Sequence, residues 1–411
     1  MKKRILLFVL AVVTLAACAP SGGGGTGGGG GGTVDVCNLS GTIDTQVTLS
    51  PTTCSTYNVV DDLTVGDTGK LIIEPGTVLE FAQDAALTVS GHGALVAVGT
   101  SSDKILFTGE SKVRGYWNGI IFNRANSFDN ELKYVVVEYA GSERRWNTGS
   151  FGYYRTAIEV EPSSRLKMTY SLVRESLGSG IFIDTESYIG PDDVADGDFA
   201  HNTITANASY PVITYAKLVG FLDSSNDFTG NDAGYDFVRF SGSFEDIDTQ
   251  TWQRLNVPYL VFREATVADG ETLTIAPGVK LVFEQDAGIT VHGSAAAIYA
   301  VGTPSEPIVF TGAQPVRGYW LGLNFDDSDS PNNVLRNVVV EYGGSNHGSG
   351  DEYGNVVVSS GGNASHQRII IEDSVIRHSA HWGISVAQET AYTISNITYS
   401  DNVDGDFHLR P

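Results

Sequence analysis

Residues 71–85 read LIIEPGTVLEFAQDA, and residues 273–287 read LTIAPGVKLVFEQDA. Both stretches place a Pro-Gly turn between short pieces in which apolar and polar residues alternate. That alternation is the period of a β-strand with one buried face. A shift of 202 positions superimposes the two stretches, so the sequence is internally duplicated.

The duplication extends over most of the chain. After one inserted residue the shift becomes 203, and the matched segments are Phe107–Gly109 with Phe310–Gly312, Val113–Trp117 with Val316–Trp320, Val135–Tyr139 with Val338–Tyr342, and Ser171–Arg174 with Ser374–Arg377. Tyr57 aligns with Tyr259 near the start of each copy. We therefore divide the body into unit one, residues 57–258, and unit two, residues 259–411, a shorter copy that continues the first.

The texture within each unit predicts an all-β fold. Pieces of three to six β-prone residues recur, and Gly, Asn, Asp, Ser or Pro separate them. An antiparallel sandwich or propeller fits this texture, and so does a parallel β-solenoid. Hairpin dipeptides are few, which favours the solenoid. Asparagines recur beside strand ends, where stacked asparagines satisfy turn backbone groups: Asn202, Asn207, Asn226, Asn231, Asn396 and Asn402.

The order of these motifs resembles a known family. The run LxIxPGxxLxF, followed by xxVxG, AVGT, PIxFTG, GYWxGIxF and VVVEY, resembles the right-handed parallel β-helix proteins of the pectin-lyase-like superfamily, in particular uncharacterised bacterial surface lipoproteins. The resemblance covers about residues 57–410. It implies a single-stranded right-handed parallel β-helix with three short strands per coil, and it says almost nothing about function.

The N-terminus has the pattern of a lipoprotein signal peptide, residues 1–17. A basic start, Lys2 to Arg4, precedes the apolar run 5–13, which is too short to span a bilayer, and Cys18 follows two alanines. We predict that Cys18 is lipidated and that residues 18–33, rich in glycine, are a flexible tether. An ordinary signal peptide with an incidental cysteine is the alternative. Position 19 is Ala and not Asp, which, by resemblance to known lipoproteins, favours passage to an outer membrane.

The two remaining cysteines, Cys37 and Cys54, predict a disulfide, because an exported protein folds in an oxidising compartment. The bond would close residues 34–56 into an N-terminal cap, with a stabilisation of about 3 kcal/mol from loop-closure entropy.

Charge restricts the partners. The chain has 48 acidic and 25 basic residues and a net charge of −23, so its surface repels nucleic acid. We expect the membrane, through the lipid anchor, and glycans or other envelope proteins as partners, and no nucleic acid.

Four sets of residues are candidates for chemistry. Acidic clusters could bind Ca²⁺ or serve as solvated turn acids: Asp192, Asp193, Asp196 and Asp198; Asp326, Asp327 and Asp329; Asp404 and Asp406. His378 and His381 could form a metal pair or stay ordinary surface histidines. Charged residues matched in both units are better explained as scaffold: Arg114 and Arg317, Glu138 and Glu341, Arg174 and Arg377. Trp117 and Trp320 are expected to pack at a coil corner, with sugar stacking as the minority interpretation. We assign no catalytic residue, no metal ligand and no cofactor.

The most informative difference between the units is the loop after VVVEY. In unit one, residues 142–155 combine three arginines with four aromatic residues in an acidic protein. We predict a ligand-binding loop with Arg144, Arg145, Trp146, Tyr153, Tyr154 and Arg155, because arginines and aromatic platforms suit anionic glycans. The alternative is that the loop covers an apolar patch on the solenoid.

The sequence thus predicts a lipid-anchored cell-envelope β-helix protein with a structural or ligand-binding role, and glycans are the candidate ligands. The alternative is a polysaccharide lyase or glycoside hydrolase of the same fold. An enzyme should bring acidic and basic side chains of neighbouring coils within hydrogen-bonding distance in one groove.

Overall fold

The computed structural model describes residues 36–147, 151–189, 198–242, 246–345, 353–359 and 367–410, without the side chains of Trp146 and Asn147. Val34–Pro411 forms one compact unit. The predicted signal peptide, Cys18 and the glycine-rich tether lie outside the described residues. Within the described ranges, no helix has both the length and the apolar character needed to cross a bilayer.

Short strands make up nearly all of the regular structure, and we name them β1 to β39 in chain order. Their bounds in unit one and before it are β1 Asn38–Ile43, β2 Gln46–Leu49, β3 Tyr57–Val65, β4 Lys70–Ile73, β5 Val78–Phe81, β6 Ala86–Ser90, β7 Ala94–Val98, β8 Ile105–Gly109, β9 Gly119–Asn123, β10 Glu131–Lys133, β11 Val135–Glu138, β12 Arg145–Asn147, β13 Gly152–Tyr154, β14 Thr156–Val160, β15 Lys167–Thr169, β16 Leu172–Arg174, β17 Ser179–Ile183, β18 Phe199–Ala200, β19 Thr203–Thr205, β20 Val212–Tyr215, the 3₁₀-helix η1 Ala216–Phe221, β21 Val238–Ser241 and β22 Gln250–Trp252. Unit two contains β23 Tyr259–Val261, β24 Ala265–Val267, β25 Thr272–Ile275, β26 Lys280–Phe283, β27 Ile289–His292, β28 Ala297–Val301, β29 Ile308–Gly312, β30 Leu323–Asp326, β31 Val334–Arg336, β32 Val338–Glu341, β33 Gly354–Ser359, β34 Arg368–Glu372, β35 Val375–Arg377, β36 Trp382–Ala387, β37 Ala391–Ser395, β38 Thr398–Ser400 and β39 Gly405–Arg410.

The strands stack into three walls of a parallel β-helix. In unit one the first wall is β5, β8, β11, β16 and β19, the second is β6, β9, β14, β17 and β20, and the third is β4, β7, β10, β15 and β18. The chain visits the walls in turn, so each coil adds one parallel strand to each wall. The predicted fold class is confirmed.

The core is a single stack of inward-facing side chains. On the first wall, Leu79, Phe107, Val137, Val173 and Ile204 lie directly above one another, and none of them is exposed. Each strand contributes its inward residues to this shared core, so a coil is stable only between its neighbours.

Corners turn through left-handed residues and buried asparagines. Tyr134, Tyr170 and His201 have φ of 50°, 54° and 58°, and their rings stack at 5.0 and 4.6 Å between the third and first walls. The residue that follows His201 bonds to the next coil: the backbone N–H of Asn202 donates a hydrogen bond to Asn226 Oδ1 at 2.9 Å. An equivalent bond, 3.1 Å long, joins Asn207 and Asn231 at the following corner. The predicted asparagine stacking is confirmed for these four residues, whereas Asn396 donates a hydrogen bond to Asp373 and Asn402 accepts one from Ser379.

The two copies meet at a seam where the pattern rotates by one wall. Strand β21 pairs with β20, from the second wall of unit one, and on its other edge with β23, which begins the first wall of unit two. The second wall of unit one therefore continues as the first wall of unit two. At this seam the 3₁₀-helix Ala216–Phe221 follows β20 where earlier coils place a strand of the third wall.

The segment before unit one supplies the first coil. Strand β1 pairs with β3, and β2 pairs with β4. The disulfide between Cys37 and Cys54 joins the two ends of this segment, and its prediction is confirmed.

Candidate functional site

The predicted binding loop of unit one is a β-hairpin on the outside of the solenoid. Strands β12 and β13 are antiparallel, with Arg145 opposite Tyr154 and Trp146 opposite Tyr153. The hairpin is inserted between β11 of the first wall and β14 of the second, and it folds over the second wall. The side chain of Trp146 lies outside the described residues.

Beneath the hairpin, the second wall is buried on both faces. Its outward residues form the row Glu159, Phe182, Ile213 and Arg239, in register on β14, β17, β20 and β21. Phe151 of the hairpin packs on this row, with ring centroids 5.8 Å from Phe182 and edge-on geometry. The interpretation that the loop covers an apolar patch is therefore confirmed.

A group of polar residues, which we call the hairpin clasp, ties the hairpin to the wall. Arg145 Nε lies 2.8 Å from Glu159 Oε2, and Arg145 Nη2 lies 2.7 Å from Glu143 Oε2. Arg145 Nη1 is 3.7 Å from Glu161 Oε1, and the hydroxyl of Tyr154 donates a hydrogen bond to Glu159. The clasp therefore places one guanidinium against three carboxylates, of which Glu159 is buried and only 3% exposed.

Burial is the main cause of the pKa shifts in the clasp. Desolvation raises the pKa of Glu159 to about 7, although Arg145 and the Tyr154 hydrogen bond both act to lower it. Desolvation also raises the pKa of Glu161, and it raises the pKa of Tyr154 well above its usual range. The Tyr154 hydroxyl therefore keeps its proton at every ordinary pH and can donate a hydrogen bond to Glu159.

Beside the clasp, the hairpin forms one side of an open cleft of about 380 Å³. Three arginines line it: Arg144 and Arg155 at the two ends of the hairpin, and Arg239 on β21 of a later coil. Tyr153, Tyr210 and Tyr235 supply aromatic rings to the same cleft. We call this the hairpin cleft.

The arginines are held by different contacts. The Arg144 guanidinium lies 4.1 Å above the Tyr153 ring, and Arg155 donates to the carbonyl of Gly141 at 3.2 Å. Arg239 stacks on Phe262 at 3.9 Å, and its Nε lies 3.2 Å from Glu284. These contacts fix the positive charges in place before any ligand arrives, which lowers the entropic cost of binding.

The structure brings together four of the six predicted binding residues. Arg144, Tyr153, Tyr154 and Arg155 line the hairpin cleft, whereas Arg145 turns into the clasp. Sequence reasoning missed Tyr210, Tyr235 and Arg239, which lie many residues away along the chain. A signal was present: strands β17 and β20 are apolar at successive positions, which is typical of a strand covered on both faces.

The residues matched between the units form the scaffold, as predicted. Arg174 lies 2.7 Å from Glu138, and Arg377 lies 2.7 Å from Glu341, each pair joining adjacent coils. Trp117 and Trp320 are fully buried. Each donates its indole N–H to a backbone carbonyl at 2.8 Å and stacks on a phenylalanine at 4.0 Å. Corner packing, and not sugar stacking, explains both tryptophans.

The acidic and histidine clusters do not converge. His381 pairs with Asp404 at 2.7 Å, His378 lies 3.5 Å from Asp401, and Asp326 pairs with His292 at 2.9 Å. Over the described ranges, no three His, Cys, Asp or Glu side chains are placed to hold a metal ion. Asp192, Asp193 and Asp196 lie outside those ranges, so nothing tests whether that cluster binds Ca²⁺ or consists of solvated turn acids.

A comparison with known protein families found one matching family model. The model of the pectate-lyase-like β-helix domain matches residues 41–234, which include the hairpin, the clasp and all of the hairpin cleft except Tyr235 and Arg239. This match supports the predicted right-handed parallel β-helix, which the parallel sheets confirm. No curated protein matches the chain.

Proposed function

We propose that this protein is a lipid-anchored β-helix protein of the cell envelope that binds acidic glycans in the hairpin cleft. The observation that carries the proposal is the convergence of Arg144, Arg155 and Arg239 on one cleft of a chain whose net charge is −23. A positive site on a negative protein attracts an anionic ligand locally while the remaining surface repels it.

The cleft chemistry favours a sugar acid over a simple ion. Guanidinium groups bind carboxylates with two parallel hydrogen bonds, and tyrosine rings offer apolar faces to pyranose rings. The cleft is open along one side, so it accepts part of a longer chain. A carboxylated polysaccharide, which alternates ring faces with carboxylates, satisfies both requirements.

The envelope location is supported by sequence. The basic start, the apolar run 5–13 and Cys18 after two alanines are typical of lipoproteins. Metabolic labelling with a radioactive fatty acid tests this part: the wild type should be labelled and a Cys18→Ala variant should not.

A glycan array tests the binding part. Purified full-length protein should bind carboxylated glycans, and an Arg144→Gln/Tyr153→Ala variant should bind them at least 10-fold more weakly, with circular dichroism unchanged. Arg254→Gln removes a surface arginine that pairs with Glu306, away from the cleft, and is the matched control. Raising the salt concentration should weaken binding, because the attraction is electrostatic. Equal binding by the wild type and the double variant would refute the assignment of the site.

One observation favours the enzymatic alternative, a polysaccharide lyase or hydrolase. Glu159 has a pKa raised to about 7, in the range of a general acid or base, and it lies beside Arg145 and Tyr154. Because Glu159 is buried, the hairpin would have to lift before a substrate could reach it. Release of reducing ends or unsaturated uronates from a bound glycan, lost in Glu159→Gln while binding remains, would establish this alternative.

A further inference from the structure

A row of exposed aromatic rings follows the corner between the second and third walls of unit one. Phe128 is 66% exposed, Tyr188 is 50% exposed, and Phe221, at the end of η1, is 46% exposed. They come from three different coils, and the row therefore runs along the axis of the solenoid. Exposed apolar side chains point to a binding site when they form a patch and not when they lie singly.

The row is ordered by a cation between its rings. The guanidinium of Arg165 lies 4.0 Å from the Phe128 ring centroid and 4.4 Å from that of Tyr188. The guanidinium covers one face of each ring and holds both rings in place, which reduces the entropy that a ligand on their other faces would otherwise lose on ordering them. The rings nevertheless stay at least half exposed.

The second copy shows that the corner does not need these rings to fold. With the shift of 203, Phe128 matches Pro331 and Tyr188 matches Ala391, while Arg165 matches Arg368. The buried asparagine of this corner is kept: Asn130 accepts a hydrogen bond from Leu95 at 2.9 Å, and Asn333 accepts one from Ile298 at 3.2 Å. Unit two therefore builds this corner without an aromatic residue at either matched position, so folding does not explain Phe128 and Tyr188.

The row leads into a second cleft, of about 610 Å³, at the seam between the copies. Tyr188 and Phe221 form part of its lining, with the uncharged polar side chains of Thr185, Gln250 and Gln253. Its charges are mixed, because Lys217 lies 3.6 Å from Asp248 and Glu186 lies nearby in the lining. The volume is in the range of ligand sites, and the lining offers no excess of positive charge for an anion.

We propose that this corner and its cleft bind an uncharged linear polysaccharide, laid along the solenoid axis across Phe128, Tyr188 and Phe221. Apolar ring faces stack on the aromatic row, and the amide and hydroxyl groups of the cleft hydrogen-bond the sugar hydroxyls. The coils repeat about every 4.8 Å along this axis, so a chain of sugars meets a fresh set of side chains at each coil. This site is separate from the hairpin cleft and does not depend on the function proposed for it.

Exchange of residues between the copies provides the test. Phe128→Pro and Tyr188→Ala install the residues that unit two carries at the matched positions, so the corner should still fold. Full-length wild type, this double variant and Arg144→Gln/Tyr153→Ala are compared by affinity electrophoresis and calorimetry against soluble neutral glucan, mannan, xylan and chitin oligosaccharides, with polygalacturonate as the acidic reference.

We expect the wild type to bind at least one neutral glycan, with little dependence on salt. The Phe128→Pro/Tyr188→Ala variant should bind it roughly 10- to 100-fold more weakly, since each lost stacking platform is worth about a factor of three to ten. The Arg144→Gln/Tyr153→Ala variant should retain it. Failure of the wild type to bind any neutral glycan, or equal binding by the Phe128→Pro/Tyr188→Ala variant, would overturn the proposal. Neither result would bear on binding of the acidic reference.

Discussion

Replacing Glu159 by glutamine tests the hairpin clasp, because that residue is the buried carboxylate over which the hairpin closes. With the hairpin closed, the pKa of Glu159 is about 7, compared with a usual value of 4.5. With the hairpin open, the carboxylate is solvated and its pKa returns towards the usual value. The closed state therefore binds a proton more tightly than the open state, and closing is linked to pH.

The direction and size follow from those two values. Because the closed-state pKa is raised, the stabilisation of the closed hairpin is fully present below about pH 4.5 and is lost as the pH rises to about 7. One pKa unit corresponds to about 1.36 kcal/mol, so the closed hairpin should lose up to about 3 kcal/mol over this interval. Glutamine imitates the protonated side chain and does not titrate. At pH 8, Glu159→Gln should therefore hold the hairpin closed more firmly than the wild type does.

Hydrogen exchange at the amides of residues 152–160 measures this opening locally. Comparing wild type with Glu159→Gln at the same pH cancels most of the pH dependence of the chemical exchange rate. Exchange in the variant should be up to about 100-fold slower than in the wild type at pH 8, and only about fourfold slower at pH 5. Glu131→Gln, on β10 of the third wall, controls for the loss of a negative charge. A ratio that does not change between pH 5 and pH 8, or a wild type that gains protection as the pH rises, would refute the reasoning.

Two further predictions concern the scaffold. Trp117→Ala and Trp320→Ala each remove a fully buried side chain that stacks on a phenylalanine. Each substitution should lower the free energy of unfolding, measured by urea titration, by about 3–5 kcal/mol. A loss below about 1 kcal/mol in either copy would contradict the equivalence of the two corners. Cys37→Ser/Cys54→Ser removes a disulfide between residues 17 positions apart and should lower the free energy of unfolding of the first coil by about 3 kcal/mol. Hydrogen exchange should become faster in β1 and β2 and stay unchanged in unit two. Equal loss of protection throughout the chain would show that the solenoid unfolds as one cooperative block.

The scaffold could be predicted from sequence because its determinants are local and repeated. The Pro-Gly turn and the alternation in LIIEPGTVLEF specify strands, and their recurrence 202 residues later specifies stacking. The corner roles of Trp117 and Asn207 follow from the same repetition, because each bonds to the next coil: Trp117 to the carbonyl of Glu138, and Asn207 to Asn231.

The hairpin cleft could be predicted only in part because it joins residues distant in sequence. Arg144 and Tyr153 stood out as a basic, aromatic loop, but Arg239 reaches the same cleft from β21, three coils further along the second wall. Arg145 was placed in the cleft by composition alone, and the buried Glu159 beneath it decides otherwise. The seam between the copies could not be predicted at all, because a rotation of the wall order leaves no mark on the spacing of the motifs.

Internal duplication separates residues that build this solenoid from residues that use it. Where both copies keep a side chain, as with Trp117 and Trp320, the structure gives it the same buried contacts twice. Two exposed rings of unit one have no such counterpart: Phe128 and Tyr188 are replaced by Pro331 and Ala391 in unit two, and both rings lie on the surface. A residue needed by every coil should be needed in both copies, since each coil meets the same packing demands. These two rings are therefore better explained by a ligand than by folding, and substitution there should change binding while leaving stability intact.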